Sequence, residues 1–365
     1  MKCVICTGTT GSERRQYLVE LENLTRESKK LLIMDPWLRT KELHTDIDEA
    51  TILNISDEVR LNYFKDAYQD IANNLDKLRA SSNDTVVTVP MHSVFYWRSV
   101  YKDAIRDEFL ECLSPDLFIT IVHNMKAVKV NLDEDPHSRF SDIKFPEILQ
   151  WRQREIQATS RWAKMFKKEH IVIARNEPVE VLYRVLFTEK KKIYFSYPMS
   201  YVSDREMNNA RKLIKKLRGM GYIIFDPGSI DDAQYVSELH GQLKVKKGIV
   251  TKQELPHVAR VVGEHTVDVD HKLIEQSDMV VVRYPSVEYN KFIVEKDKVA
   301  PAIYVPLSAG VICEMVKGYS AGKKVFAVWL PKGVEPSPFF RYHCTKLFTA
   351  EPELLDHLKQ KEPPG

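Results

Sequence analysis

With 365 residues, 44% of them apolar and 29% charged, the chain has the composition of an ordinary globular protein and the length for two cores. Its 54 basic and 51 acidic side chains leave a net charge of +3, which gives no argument for nucleic acid as a partner. Cys3, Cys6, Cys112, Cys313 and Cys344 are scattered and odd in number, which favours a reducing compartment over a disulfide framework. No second Cys or His pair complements Cys3 and Cys6, so no metal site is expected. No run is long and apolar enough for a membrane span, and no leader-like segment opens the chain; a cytoplasmic protein without a membrane partner is the expectation.

Strand and helix patterns alternate along the first half. Lys2 to Thr7 reads as a buried strand, followed by the turn Gly8-Thr-Thr-Gly11-Ser12 and a helix from Glu13 to about Arg26. A strand at Lys30 to Asp35 precedes a helix over Glu58 to Arg79, in which Leu61, Phe64, Ala67, Tyr68, Ile71, Leu75 and Leu78 fall at helical spacing. Thr85 to Pro90, Leu117 to Val122 and His170 to Ala174 read as buried strands, with a long amphipathic helix at Phe145 to Phe166 between the last two. A helix at Glu177 to Phe187 closes this series, and the polar run Thr188 to Lys192 marks a boundary, giving domains 1–189 and 190–365.

A second series begins with strand Ile193 to Tyr197, helix Asp204 to Arg218 and strand Tyr222 to Phe225. Residues 229–265 read as a long polar connection. Helix Asp268 to Gln276, strand Met279 to Tyr284, helix Ala309 to Ser320 stopped by Gly322, strand Lys324 to Trp329 and a helix from Glu351 complete the chain. Both halves therefore read as doubly wound α/β domains with parallel sheets, whose ligands lie at the carboxyl ends of the strands.

Candidate chemistry follows from that rim. Tyr194 and Ser196 lie on the first strand of the second series, Asp226 ends the second, and Ser308-Ala309-Gly310 opens the helix that carries Glu314. Asp270 is expected at the head of the preceding helix. Singly, each of these residues has an ordinary reading as cap, core or helix electrostatics. Jointly they offer a nucleophilic carboxylate, a second acid or phenol, and a helix start able to hold a phosphate, the set needed to cleave an N-glycosidic bond.

Residues 192 to about 350 resemble the nucleoside 2-deoxyribosyltransferase family, and more closely its 2′-deoxynucleoside 5′-phosphate N-hydrolase branch. The matching pieces are Ile193-Tyr-Phe-Ser196, Asp204-Arg205, Asp270 through Asp278 with its apolar strand, Ser308-x-Gly310-x-x-x-Glu314, and Gly318 to Val325. The resemblance implies a flavodoxin-like domain with Glu314 as nucleophile, Asp270 as acidic partner, Tyr194 orienting the nucleophile, and Ser308 with Gly310 on the phosphate. Ser196, Arg205, Asp226 and Ala309 complete the expected substrate contacts. It also implies a homodimer, a small-molecule nucleotide as substrate and no cofactor. The chain departs from the pattern in its long 229–265 and 285–306 segments and in Tyr197-Pro198, where small residues are expected.

The first half resembles adenylate-kinase-type nucleoside monophosphate kinases in its order of elements, in Thr88 to Trp97, and in a lid-like stretch around Arg139 leading into Trp151-Arg-Gln-Arg-Glu155. Its loop is degenerate. Gly8, Gly11 and Ser12 fit a phosphate cradle, but Glu13, Arg14 and Arg15 stand where Gly-Lys-Ser/Thr is needed, so the magnesium hydroxyl is missing. The expected activity is hydrolysis of (2′-deoxy)nucleoside 5′-monophosphates; the alternatives are base exchange between nucleosides, and a nucleotide kinase or non-catalytic nucleotide sensor.

Overall fold

The computed structural model describes residues 1–27, 30–48, 51–81, 85–135, 140, 142–199, 202–232, 255–285, 287–289, 302–304 and 308–365. The chain packs as two units: Met1–Phe187 with Ser229–Val267, and Thr188–Gly228 with Asp268–Gly365. Sequence reading draws a single boundary at 189/190; in the structure, residues of 229–267 return to the first unit.

Strands are numbered in chain order: β1 (Lys2–Thr7), β2 (Lys30–Ile33), β3 (Thr85–Pro90), β4 (Val94–Trp97), β5 (Val100–Asp103), β6 (Leu117–Val122) and β7 (Glu169–Ala174) in the first unit. The second unit contains β8 (Lys192–Ser196), β9 (Ile223–Phe225), β10 (Met279–Tyr284), β11 (Val287–Tyr289), β12 (Ala302–Tyr304), β13 (Lys324–Trp329) and β14 (Lys346–Phe348).

The first sheet has the order β2-β3-β1-β6-β7, and all its pairings are parallel. Every residue of β3 and β6 is buried, as expected of strands covered by helices on both faces. Cys3 and Cys6 are unpaired thiols inside β1, and burial pushes both pKa values up to about 12, so they behave as core residues. The helix Phe145–Phe166 turns Ile148, Leu149, Trp151, Arg152, Glu155, Ile156, Thr159 and Trp162 inward at the spacing of a single face. At its start the Glu147 carboxylate accepts the Lys144 backbone N–H at 2.8 Å. An antiparallel hairpin, β4–β5, packs outside the sheet; its alternation of buried and half-buried residues (Val94, Phe95, Tyr96, Trp97) was not separated from the apolar run before it in sequence.

The second sheet is also five-stranded and parallel, in the order β14-β13-β10-β8-β9. Its register sets Tyr194 beside Val280 and Ser196, the last residue of β8, beside Val282 of β10. The core on one side is built from Phe195, Leu213, Ile214, Leu217, Val281 and Phe326. Where the helix Ala309–Ser320 crosses the sheet, a Cβ on Gly318 would lie 2.7 Å from Val280 Cγ2, so only glycine permits that approach. Doubly wound parallel α/β architecture therefore holds in both units.

One element departs from expectation. The helix before β10 begins at Leu255, not Asp268, and runs to Glu275. Val258, Val262, Val269 and Leu273 form its buried stripe, with Val258 and Val262 in the apolar cluster around Met125, Ile148 and Trp151 of the first unit. Polar His257, Arg260 and Glu264 interrupt that stripe in sequence. The anchor of residues 229–267 is a buried ion pair: Arg152 Nη2 lies 2.7 Å from Asp232 Oδ2, and Asp232 Oδ1 accepts the Met125 N–H at 2.7 Å. The rest of the expected connection (233–254), most of 285–306 and the lid-like Arg139 lie outside the described residues. Among those described, no helix is long and apolar enough to cross a membrane.

Candidate active site

The second unit gathers its acids where β8 and β9 end. Ser196, the last residue of β8, is buried, and its hydroxyl donates to Glu314 Oε2 at 2.5 Å. Glu314 comes from the helix Ala309–Ser320 and stays partly exposed. Burial of its carboxyl raises the Glu314 pKa, and the Ser196 hydroxyl pulls it back down. Tyr194 is fully buried, and its hydroxyl meets no hydrogen-bond partner among the described residues. Desolvation holds its pKa well above the ordinary phenol value, and the negative charges of Glu314, Asp270 and Asp226 push the same way. One phenol thus sits in the field of all three sequence-predicted acids.

Asp226 follows β9 and accepts two hydrogen bonds, from the Gly228 N–H at 2.9 Å and the Tyr197 hydroxyl at 3.0 Å. Burial raises its pKa while those two donors oppose the shift. A Cβ on Gly228 would lie 2.6 Å from the Tyr197 hydroxyl, so a side chain there would displace that hydroxyl from Asp226. Tyr197, which departs from the family pattern, is thereby accounted for: it positions Asp226.

Asp270 reaches the cluster from a different place than expected. It lies in the later turns of the helix Leu255–Glu275 rather than at a helix head, so it is not a cap. Ser308 is the N-cap of the next helix: its hydroxyl accepts the Val311 N–H at 3.4 Å, and its own N–H donates to the Tyr284 hydroxyl at 3.1 Å. Ala309 and Gly310 are exposed at that helix start. A Cβ on Gly310 would lie 3.9 Å from Glu314 Oε1 and 4.0 Å from Ser308 Oγ, which places the helix start beside the carboxylate. Arg205 is exposed and makes no hydrogen bond or ion pair with these groups among the described residues. Its neighbour Glu206 instead pairs with buried Arg283 at 2.9 Å, and Arg283 also holds Glu351 at 2.8 Å.

In the first unit, Gly8 and Gly11 have φ of 155° and 78°, and Glu13, before the helix Arg14–Thr25, is left-handed at φ 55° with no side-chain cap. A Cβ on Gly8 would approach Ile121 O to 2.6 Å. The Glu13 carboxylate does not stand free in this loop: it lies 3.1 Å from Arg175 Nε and accepts from Asn131 at 3.2 Å. Arg14 folds back to donate to Gly8 O at 2.5 Å, whereas Arg15 is exposed, 3.9 Å from Asp35. Ser12 is 1% exposed, and its hydroxyl has no hydrogen-bond partner among the described residues. Sequence reasoning missed the aromatic side chains facing this loop, Trp37, Phe64, His92, Phe95 and Trp151, which line the same cavity of about 540 Å³. Their signal was present in Asp35-Pro-Trp37 and Thr88 to Trp97 but carries no periodicity.

No protein-family model matches the chain, and no curated protein matches it. Solved structures with a partial likeness include an unliganded sugar kinase from Janibacter sp., at 15% identity and a TM-score of 0.30 over 51% of this chain and 92% of that one. Shikimate kinase from Bacteroides thetaiotaomicron matches at 11% identity and a TM-score of 0.32, covering 51% and 98% of the two chains. The Acinetobacter baumannii shikimate kinase, in complex with shikimate, matches at 13% and 0.32, covering 51% and 92%. At such TM-scores these likenesses decide neither fold nor chemistry.

Proposed function

We propose that the second unit is an N-glycosidase that hydrolyses (2′-deoxy)nucleoside 5′-monophosphates to free base and (deoxy)ribose 5-phosphate. The observation that carries this reading is the Glu314 carboxylate, held by Ser196 at 2.5 Å close to the buried phenol of Tyr194. A carboxylate so oriented, and still partly exposed, is suited to attack an anomeric carbon.

In the proposed reaction Glu314 forms a bond to C1′ as the C1′–N bond breaks, and the base leaves with the electron pair. Asp270 supplies the proton that the departing base takes up. Water then attacks C1′, the ester bond to Glu314 breaks, and the proton released from water restores Asp270. Burial strengthens the carboxylate as a nucleophile and raises its pKa, and the Ser196 hydroxyl opposes that rise. The exposed N–H groups at Ala309 and Gly310 lie on the side from which a 5′-phosphate could be held.

Incubation of the protein with deoxyribo- and ribonucleoside 5′-monophosphates, with chromatographic detection of free base, tests the reading. Base release by the wild type and none by Glu314→Gln is the expected result. Release that is unchanged in Glu314→Gln, or absent from every substrate, rejects it.

A further inference from the structure

The two acids on which the proposed hydrolysis depends reach the rim of the second sheet on separate helices. Glu314 comes from Ala309–Ser320, and Asp270 from the last turns of Leu255–Glu275, which belong to the second unit. Ser196 fixes Glu314 from the sheet at 2.5 Å. Asp270 acts on the Tyr194 phenol together with Glu314. The separation of the two carboxyl groups is therefore set by how these helices are held to one another.

Two lysines join the helices just beyond the acids. Lys317 follows Glu314 by about one turn and forms an ion pair at 2.7 Å with Glu275, the last residue of the helix that carries Asp270. The Glu314 helix then stops at Gly322, whose φ of 71° is left-handed, and the chain turns back. That turn delivers Lys323 to the end of the other helix, where its ammonium donates to Glu275 O at 3.0 Å and to Ser277 O. Carbonyls at a helix end lack partners within the helix, and a cation there complements its negative pole. Between the two lysines, the close approach of Gly318 to Val280 seats the joint on the sheet.

Stability alone is a poor reason for the Lys317–Glu275 pair. Its side chains are 31% and 51% exposed, and pairs so open to solvent add little to folding. Burial raises the Glu275 pKa, but Lys317, with Lys272 and His271, outweighs that and holds it below the usual carboxylate range. Geometry is the better reason. A misplacement of about 1 Å near reacting groups can cost about a hundredfold in rate, and glycoside cleavage depends on the spacing of its two carboxyl groups. We infer that Lys317 is a positioning residue: paired with Glu275 and backed by Lys323, it ties the Asp270 helix to the Glu314 helix and fixes the spacing of the two acids. This inference rests on the proposed hydrolysis and adds to it a residue outside the reacting groups.

The test is steady-state base release by the full-length protein, with the nucleoside 5′-monophosphate that the wild type hydrolyses fastest. Lys317→Met, Glu275→Gln, the double variant and Lys317→Arg are compared with wild type and Glu314→Gln, and the melting temperature of each is read. Lys317→Met should lower kcat about tenfold and leave KM within about twofold. Its melting temperature should stay within about 3 °C of wild type. Glu275→Gln should behave alike, and the double variant should be no slower than either single one, because all three remove the same contact. Lys317→Arg keeps a cation within reach of Glu275 and should recover most of the lost rate. An unchanged kcat in both Lys317→Met and Glu275→Gln overturns the inference, and base release that Glu314→Gln abolishes then leaves the hydrolase reading standing. Losses that multiply in the double variant, or a rate loss that follows a loss of folded protein, also overturn it. No release by the wild type removes both readings together.

Discussion

Near the cavity of the first unit, two acids have firm partners: Glu13 with Arg175, and Glu155 with His92 at 3.2 Å and with the Ser93 N–H at 2.9 Å. What stays open there is mainly aromatic surface, with one buried hydroxyl. At the rim of the second sheet the balance is reversed. Glu314 and Asp226 are acids whose pKa values burial has raised, Glu314 makes no ion pair among the described residues, and the Tyr194 phenol lies in their field. Matched charges with open rings suit a site that holds a ligand. Buried acids with raised pKa values suit a site that changes one, because their charge is available to a developing cation.

The contrast breaks most directly at Glu314. Glu314→Gln should lower kcat by about three orders of magnitude or more, read as base release, with Tm unchanged or raised. The sign of the stability effect follows from the raised folded-state pKa. A carboxyl that binds its proton more tightly when folded stabilises the protein below its unfolded-state pKa, and loses that contribution as pH rises through the folded-state value. Glutamine mimics the protonated form, so the variant should melt higher at neutral pH. A lower melting temperature would contradict the burial argument.

Removing the anchor of the inserted segment should come next in size. Arg152→Ala leaves the Asp232 carboxylate buried without its cation, at a cost of about 3–5 kcal/mol measured by denaturant unfolding. A smaller loss is expected from Gly318→Ala, about 1–3 kcal/mol, because the new methyl must displace Val280 from the sheet. Tyr194→Phe should retain the fold and lower kcat about tenfold to a hundredfold. An effect confined to stability would make Tyr194 a core residue only.

The subtlest outcome is a pH profile. Turnover requires ionised Glu314, so kcat/KM should fall as pH drops through its raised pKa. Ser196→Ala removes the hydroxyl that pulls that pKa down, and the acid limb should therefore move to higher pH. An unmoved limb would show that another group controls it.

Much of this was legible in the chain itself. Strands such as Leu117–Val122 and Met279–Tyr284 are continuous apolar runs, and burial on both faces dictates such runs in parallel sheets. The convergence of Tyr194, Ser196, Asp226 and Glu314 could be read because every strand of a parallel sheet ends on one rim. Sequence could not place Asp270, whose helix starts at Leu255 behind a stripe diluted by charge, nor could it show that Ser308 spends its hydroxyl on a cap. It also could not reveal that residues from 229–267 pack with the first unit, or that Trp37, His92, Phe95 and Trp151 enclose one cavity. Hydrophobic period and turn chemistry act over a few residues, so they determine elements from the sequence alone. Cavities, buried ion pairs and unpartnered hydroxyls depend on which distant surfaces exclude water together, and only the tertiary packing decides that.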